Sequence, residues 1–360
     1  MTKLKIGILG TGNTCKGLCS LLRQESNLII SKVFTQTDIS KRTDFPYPEL
    51  LTNDIQELRN SSDVYLDCSN KICVAFNIIK TLMSDKKPVF TTNNSFQLLF
   101  GKYLNTIGQI SLCGGSATYS LYNLFWDAMG RGFLPMLLLN HGPFLGGSSG
   151  IEIQKKIENC LLANIFDISA LNHPIISDVV AEIMARNTEI PLCATIMNNS
   201  IKSEVSILSK HSDREQVQHL KDLGYGDGPV YTLENKNILN HMEIPFSIMD
   251  IVENNNLSLI PQTNKNMVYA ICKKRIDKGT FIDCGLESEY LNGNILDNKK
   301  DLIPISLIEY VVIKNDIQAG EYITFDDVLF GNKNFVDISK KAINQITDVA
   351  DSIDRRYLTS

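Results

Sequence analysis

Residues 5–17 read KIGILGTGNTCKG. Lys3 to Leu9 is a short apolar run ending in glycine, and apolar residues recur behind it at Leu18, Leu21 and Leu22. That order reads strand, glycine turn, helix. Glycines stand at Gly10 and Gly12, Cys15 fills the place of a third, and Gly17 follows two residues later. In a dinucleotide fingerprint the first glycine makes the turn and the second lets a pyrophosphate approach the backbone. The helix N-terminus then holds the anionic charge. Gly10, Gly12, Asn13 and Thr14 are therefore candidate cofactor-binding residues. The same string also suits a glycine turn in an α/β protein of another kind.

Outward from this turn, a second strand is expected from Leu28 to Thr35. NAD enzymes usually close this strand with an acid that binds the ribose hydroxyls. Here it ends in Thr35-Gln36, and Lys41-Arg42 follow. A missing acid with cations nearby suits a 2′-phosphate, so NADP is expected, with NAD kept open and Thr35 and Arg42 as contacts. The alternative makes Lys41 and Arg42 ordinary solvated charges. SSDVYLDCSN then leads into a helix from about Val74 to Ser84, and KPVFTTNN into a helix around Phe96 to Gly108. ISLCGGSATYSL enters a Gly-Gly turn. Such alternation predicts an α/β fold with a parallel, doubly wound sheet of Rossmann type. Cys68, Ser69, Thr92, Asn93 and Gly115 fall at the carboxyl ends of its strands, where such sheets bind ligands.

Composition narrows the class. The chain has 360 residues, 43% of them apolar, which suits two or three globular domains. Net charge is -5 and no long basic run occurs, so neither nucleic acid nor a membrane surface is an expected partner. No apolar run reaches the roughly 18 residues of a transmembrane helix. Nine cysteines are scattered singly, which reads as reduced thiols in the cytoplasm. The acids are dispersed, and no metal-ligand spacing is present.

The far end repeats itself. Ile276-x-x-Gly279-x-x-Ile282 matches Ile317-x-x-Gly320-x-x-Ile323 at an offset of 41 residues. A pair is too short for a solenoid and predicts a compact pseudo-symmetric β unit. Between the two ends, the loop Gly146-Gly147-Ser148-Ser149-Gly150 could wrap an anionic substrate with backbone N–H groups, or be a hairpin. Residues 172–190 read as a helix with Val179, Val180 and Ile183 on one face. CATIMNNSIKSEVSILSKH suggests strands. Four segments result: 1–115 nucleotide domain, 116–265 α+β substrate and dimerisation domain, 266–331 β unit, 332–360 helical tail. The apolar set Val336, Ile338, Ile343, Ile346, Val349 and Ile353 in that tail needs a surface to cover, on its own chain or in a homo-oligomer.

These motifs carry a resemblance. DVYLDCSN, KPVFTTNN and LCGGSA, in that order behind GTGNTCKG, resemble the nucleotide domain of homoserine dehydrogenases. There the corresponding stretches place small polar groups around the nicotinamide. Asn94 stands where that family has a lysine. DIQAGEYITFDDV resembles the core phrase of the SAF domain, a small β-clip module. GYGDGPVY, NHMEIPFSI and AICKKRIDKGTFIDCG complete a likeness to homoserine-dehydrogenase-like oxidoreductases with a C-terminal SAF domain. That group includes the reductoisomerase-like proteins acting on 1-deoxy-D-xylulose 5-phosphate. The resemblance implies an NAD(P)-dependent oxidoreductase.

Residue by residue, His241 and Glu243 match the group's His-x-Glu-x-Pro phrase, completed by Pro245. Lys274 and Arg275 match its Lys-Arg pair, while Ile238 replaces a group histidine. His241, Glu243 and Lys274 are thus the candidate catalytic residues, and Ser148, Ser149 and Arg275 the candidate substrate contacts. His241 and Glu243, two apart, point the same way in extended backbone. They could transfer protons, bind a polar ligand, or make a structural hydrogen-bonded contact between domains. Lys274 and Arg275 could bind phosphate or carboxylate or form a surface charge pair. His141, after an apolar run, could face the cofactor or be a satisfied strand-end histidine. Two functional readings follow. One is an oxidoreductase acting on a small polar carbonyl or hydroxyl metabolite that carries phosphate or carboxylate. The other is a non-catalytic Rossmann–SAF binding protein, which Cys15, Asn94 and Ile238 favour.

Overall fold

The computed structural model describes residues 3–23, 27–143, 150–197, 204–254, 259–331 and 335–343. Contacts divide the chain into two units, 1–119 with 238–260 and 120–237 with the residues from 261 onward.

The first unit alternates strand and helix as the sequence predicts. In chain order it contains β1 (Leu4–Leu9), α1 (Asn13–Leu21), β2 (Leu28–Phe34), β3 (Leu51–Thr52), α2 (Ile55–Ser61) and β4 (Val64–Asp67). It continues with α3 (Ile72–Leu82), β5 (Val89–Thr91), α4 (Asn94–Asn105) and β6 (Ile110–Leu112). The strands form one parallel sheet in the order β3-β2-β1-β4-β5-β6, the doubly wound Rossmann arrangement. β4 is buried at every residue, as expected of a strand covered on both faces. β1 pairs with both β2 and β4, so its carboxyl end lies at the centre of the sheet edge.

The second unit begins within α5 (Ala117–Gly130). β7 (Leu134–Gly142), α6 (Gly150–Phe166), β8 (Ser169–Ala170), α7 (Asp178–Asn187) and β9 (Leu192–Met197) follow. β10 (Val205–Lys210), α8 (Arg214–Asp222) and β11 (Val230–Asn235) complete that stretch. The five-stranded sheet runs β11-β10-β7-β9-β8, with β10 antiparallel to both its neighbours. On α7 (Asp178–Asn187) the face shared by Val179, Val180 and Ile183 is the outer one. Val179 and Ile183 are 67% and 55% exposed, whereas Ala181 and Ala185 pack into the core with Leu139 and Leu208. Small side chains four apart let a helix lie close to a sheet; large ones would hold it off.

The linear division at 265 also differs from the contacts. α9 (Ile244–Asn254) returns to the first unit, where Ile244, Ile248 and Ile251 join a core with Cys15, Leu18 and Cys113. The β unit instead shares its contacts with the middle sheet. It is built of β12 (Asn266–Cys272), β13 (Phe281–Cys284), β14 (Leu291–Asp297), β15 (Glu309–Ile313) and β16 (Val328–Phe330). Asn164 of α6 donates to the Asn266 carbonyl and accepts its N–H at 2.9 Å each, and the buried Lys156 ammonium donates to the Gly293 carbonyl. Residues 335–343 are helical, and the rest of the expected tail helix lies outside the described residues. No helix among the described residues is long and apolar enough to cross a membrane.

Candidate functional site

The carboxyl edge of the parallel sheet gathers most of the residues singled out from sequence. Gly10 adopts φ +95° and turns the chain from β1 towards α1. Gly12 caps α1 in extended backbone with no side chain to fill the helix end, so the first-turn N–H groups have no capping partner. A Cβ at Gly12 would meet nothing within 4 Å. A cavity of about 180 Å³ opens beside this turn, lined by Gly10, Thr11, Thr35, Arg42 and Ser69 among others. The Arg42 side chain is partly buried, and its Nε has no partner among the described residues. Its terminal nitrogen stands 4.0 Å from Asp44, whose carboxylate is held more closely by Lys16 at 2.8 Å.

At the centre of this edge sits Asp67, which sequence reasoning passed over. It closes β4, is fully buried, and accepts from the Ser69 N–H (3.0 Å), the Ser69 hydroxyl (2.6 Å) and the Thr91 hydroxyl (2.9 Å). Burial raises its carboxyl above the ordinary value, against the pull of those hydrogen bonds. The readable signal was an acid at the end of an otherwise apolar strand. Asp67 thereby locks the end of β4 to the end of β5. Thr92 donates its hydroxyl to the Asp67 carbonyl. Asn93 caps α4 through the Phe96 N–H and donates to the Ser69 carbonyl. Cys68 is buried beside them, and its thiol is pushed up by desolvation. Asn94, at the family's lysine position, is also buried and accepts from Thr118 at 3.0 Å.

The end of β6 is occupied by protein. Gly115, a candidate cofactor contact, donates its N–H to Glu243 Oε2 at 3.2 Å. The other oxygen, Oε1, accepts the Leu239 N–H at 2.9 Å. Ser247, another residue missed from sequence, accepts the Gly114 N–H at 2.7 Å. His241 lies against α1 at Gly17. So of the His-x-Glu phrase, Glu243 is engaged in backbone hydrogen bonds, and His241 packs on the helix that begins at Gly12.

The remaining candidates belong to the second unit. Lys274 pairs with Glu289 at 2.8 Å and lies over the Tyr290 ring. Arg275 binds Asp277 and Asp316, both at 2.9 Å. These are exposed ion pairs. Ser148 and Ser149 lie outside the described residues. His141 lines a cavity of about 550 Å³ over the sheet, with Asp178, Glu182, Ser206 and Glu234. Its Nε2 lies 2.8 Å from the Ser206 hydroxyl, and burial lowers its pKa. Behind it, Lys155 donates to Asn140, which donates to Glu158. Among the described residues no group of three His, Cys, Asp or Glu side chains could hold a metal.

No protein-family model matches the chain, and no curated sequence matches it. It is similar to several solved structures. An oxidoreductase from Bacillus cereus matches with TM-score 0.45 and 13% identity, over 73% of this chain and 92% of that one. A dehydrogenase from Clostridium difficile matches with TM-score 0.42 and 10% identity, over 70% and 91%. A dihydrodipicolinate reductase from Paenisporosarcina, with dipicolinate bound, matches with TM-score 0.39 and 12% identity, over 72% and 96%.

Proposed function

We propose that this chain is an NAD(P)-dependent oxidoreductase acting on a small polar carbonyl or hydroxyl metabolite that carries phosphate or carboxylate. The observation that carries the reading is the turn before α1. An open helix N-terminus, a Gly12 with free space where a side chain would stand, and an adjoining cavity with Arg42 suit a dinucleotide. Gly12, Asn13 and Thr14 would hold the pyrophosphate with backbone N–H groups and the positive end of the helix dipole. Thr35 and Arg42 would hold the adenosine ribose, and the unpartnered Nε of Arg42 suits a 2′-phosphate, hence NADP. Ser69, Thr92 and Asn93 would border the nicotinamide, which supplies the hydride.

A second reading, a nucleotide-binding protein without turnover, draws on Glu243 and Asn94, whose side chains are already engaged within the protein.

Calorimetric titration with NADPH and NADH tests the first reading. Gly12→Glu should abolish binding while the protein stays folded. Arg42→Ala should weaken NADPH by about 1.5–3 kcal/mol, the worth of a charged hydrogen bond, and leave NADH nearly unchanged. Unchanged NADPH affinity in a folded Gly12→Glu protein would place the nucleotide elsewhere. Substrate-dependent oxidation of NADPH across phosphosugars and amino-acid aldehydes separates the enzyme from the binding protein.

A further inference from the structure

One short segment accounts for three glycines of the first unit. A Cβ on Gly17 would lie 2.6 Å from the His241 ring, and one on Gly114 would lie 2.8 Å from the Glu243 carbonyl oxygen. One on Gly115 would run into the Asn240 carbonyl. Residues 239–247 therefore press on α1 and on the turn after β6 so closely that no side chain fits between. Glu243 ties the segment down. Its two oxygens hold the Gly115 and Leu239 N–H groups, 128 and 4 positions away in sequence. Ser247 adds the Gly114 N–H and donates its own proton to the Ile244 carbonyl at 2.9 Å.

A carboxylate offers only acceptors, and here each oxygen already meets a backbone donor. The arrangement thus fixes the Glu243 side chain between the two backbone stretches that it joins.

We propose that Glu243 is a positioning residue that clamps the Gly114–Gly115 turn at the end of β6, beside the end of β5 where Thr92 and Asn93 would border the nicotinamide. The cofactor part rests on the dinucleotide reading above; the clamp does not. Glu243 is then not the general acid or base that its place in the His-x-Glu phrase suggests.

Two variants separate the roles. Glu243→Gln puts an NH2 group against a backbone N–H, and Glu243→Asp is one methylene too short to span both donors. Each should speed hydrogen–deuterium exchange in the peptide spanning residues 112–118, measured by mass spectrometry without cofactor. Each should also weaken NADPH, by roughly tenfold where only one molecule in ten keeps the turn in place. The shape of the pH profile of any turnover should not change. The proposal is overturned if residues 112–118 stay protected in both variants. It is overturned equally if Gln alone abolishes turnover, with Asp active and NADPH affinity intact, because that is the pattern of a proton carrier. If the wild-type protein binds no NADPH, the cofactor reading fails, and the exchange measurement still decides the clamp.

Discussion

Ile276 and Ile317, 41 positions apart, exchange both of their backbone hydrogen bonds: each N–H donates to the other's carbonyl at 2.9 Å. The same shift of 41 relates their surroundings. Gly279 N–H donates to the Ile313 carbonyl and Gly320 N–H to the Cys272 carbonyl, both at 2.8 Å. Ile313 N–H returns to Thr280, and Cys272 N–H to Glu321, again at one distance, 2.9 Å. The sequence repeat is thus a pseudo-twofold pair of arms that meet at their own equivalent residues.

That symmetry predicts equal energetic penalties. Gly279 and Gly320 adopt φ +88° and +87°, and a Cβ on either would meet nothing within 4 Å. Only the left-handed backbone opposes alanine there, at about 1–2 kcal/mol. Gly279→Ala and Gly320→Ala should therefore lower stability by the same amount in urea titrations, and asparagine should cost less at both sites. A large penalty at one position and none at the other would mean that the arms carry unequal structural weight.

The repeat and the parallel sheet were legible for the same reason: each is written in residues close together in the chain. Buried parallel strands are apolar throughout, and glycine marks the turn between β1 and α1. What escaped was set by distant contacts. Nothing around Ile244 says that its stripe completes a core with Cys15 and Leu18. Nothing in the His-x-Glu spacing says that Glu243 meets Gly115. On α7, Val179, Val180 and Ile183 share one face as expected, and nothing local says that this face is the outer one, with Ala181 and Ala185 in the core. At the candidate site, Gly10, Thr35, Arg42 and Ser69 were readable and do line one cavity. Asp67 was legible as an acid closing an apolar strand, but its role as a lock was not, because Thr91 lies on another strand end.

The contact between Gly17 and His241 predicts a coupling between the two positions. Gly17 lies inside α1, where alanine should stabilise by up to about 1 kcal/mol through helix propensity. With His241 present, the new methyl group meets the far end of the ring at 2.6 Å, so the imidazole must turn aside and Gly17→Ala should stabilise less than helix propensity alone would give. In a His241→Ala background the same substitution should stabilise by the full amount. A double-mutant cycle read by thermal melting measures the coupling. Additive effects would show that the imidazole does not rest on this helix.

Asp67 makes a different prediction. Asp67→Ala leaves the Ser69 N–H and hydroxyl and the Thr91 hydroxyl without their acceptor. Stranding buried donors costs about 1–3 kcal/mol. Asp67→Asn keeps one oxygen for the two Ser69 donors and also removes the buried charge, so it should cost less. Melting temperatures ordered wild type, Asn, Ala from highest to lowest, with little change in the folded circular dichroism, would fit this lock. Equal melting of the alanine variant and the wild type would remove it.

His141 makes the stability of the second unit depend on pH, and the sign follows from its burial. Desolvation lowers its pKa below the ordinary 6.5 and Lys155 adds to the fall, while Asp178 and Glu234 pull the other way. The folded protein therefore binds this proton less readily than the unfolded chain. Between the depressed value and 6.5 the unfolded state carries more protons, so stability falls as pH falls through that window. Above it both states are neutral and the loss is absent. The slope from this one group cannot exceed one proton, about 1.4 kcal/mol per pH unit. His141→Gln removes the titration and can still reach the Ser206 hydroxyl. Melting curves from about pH 7.5 to about pH 5 should then fall more steeply for the wild type than for His141→Gln. The two should be separated least at the acid end, where the wild type has lost its advantage. Parallel curves across the whole range would mean that His141 titrates alike in the folded and unfolded chain, and that its burial beside Ser206 carries no electrostatic cost.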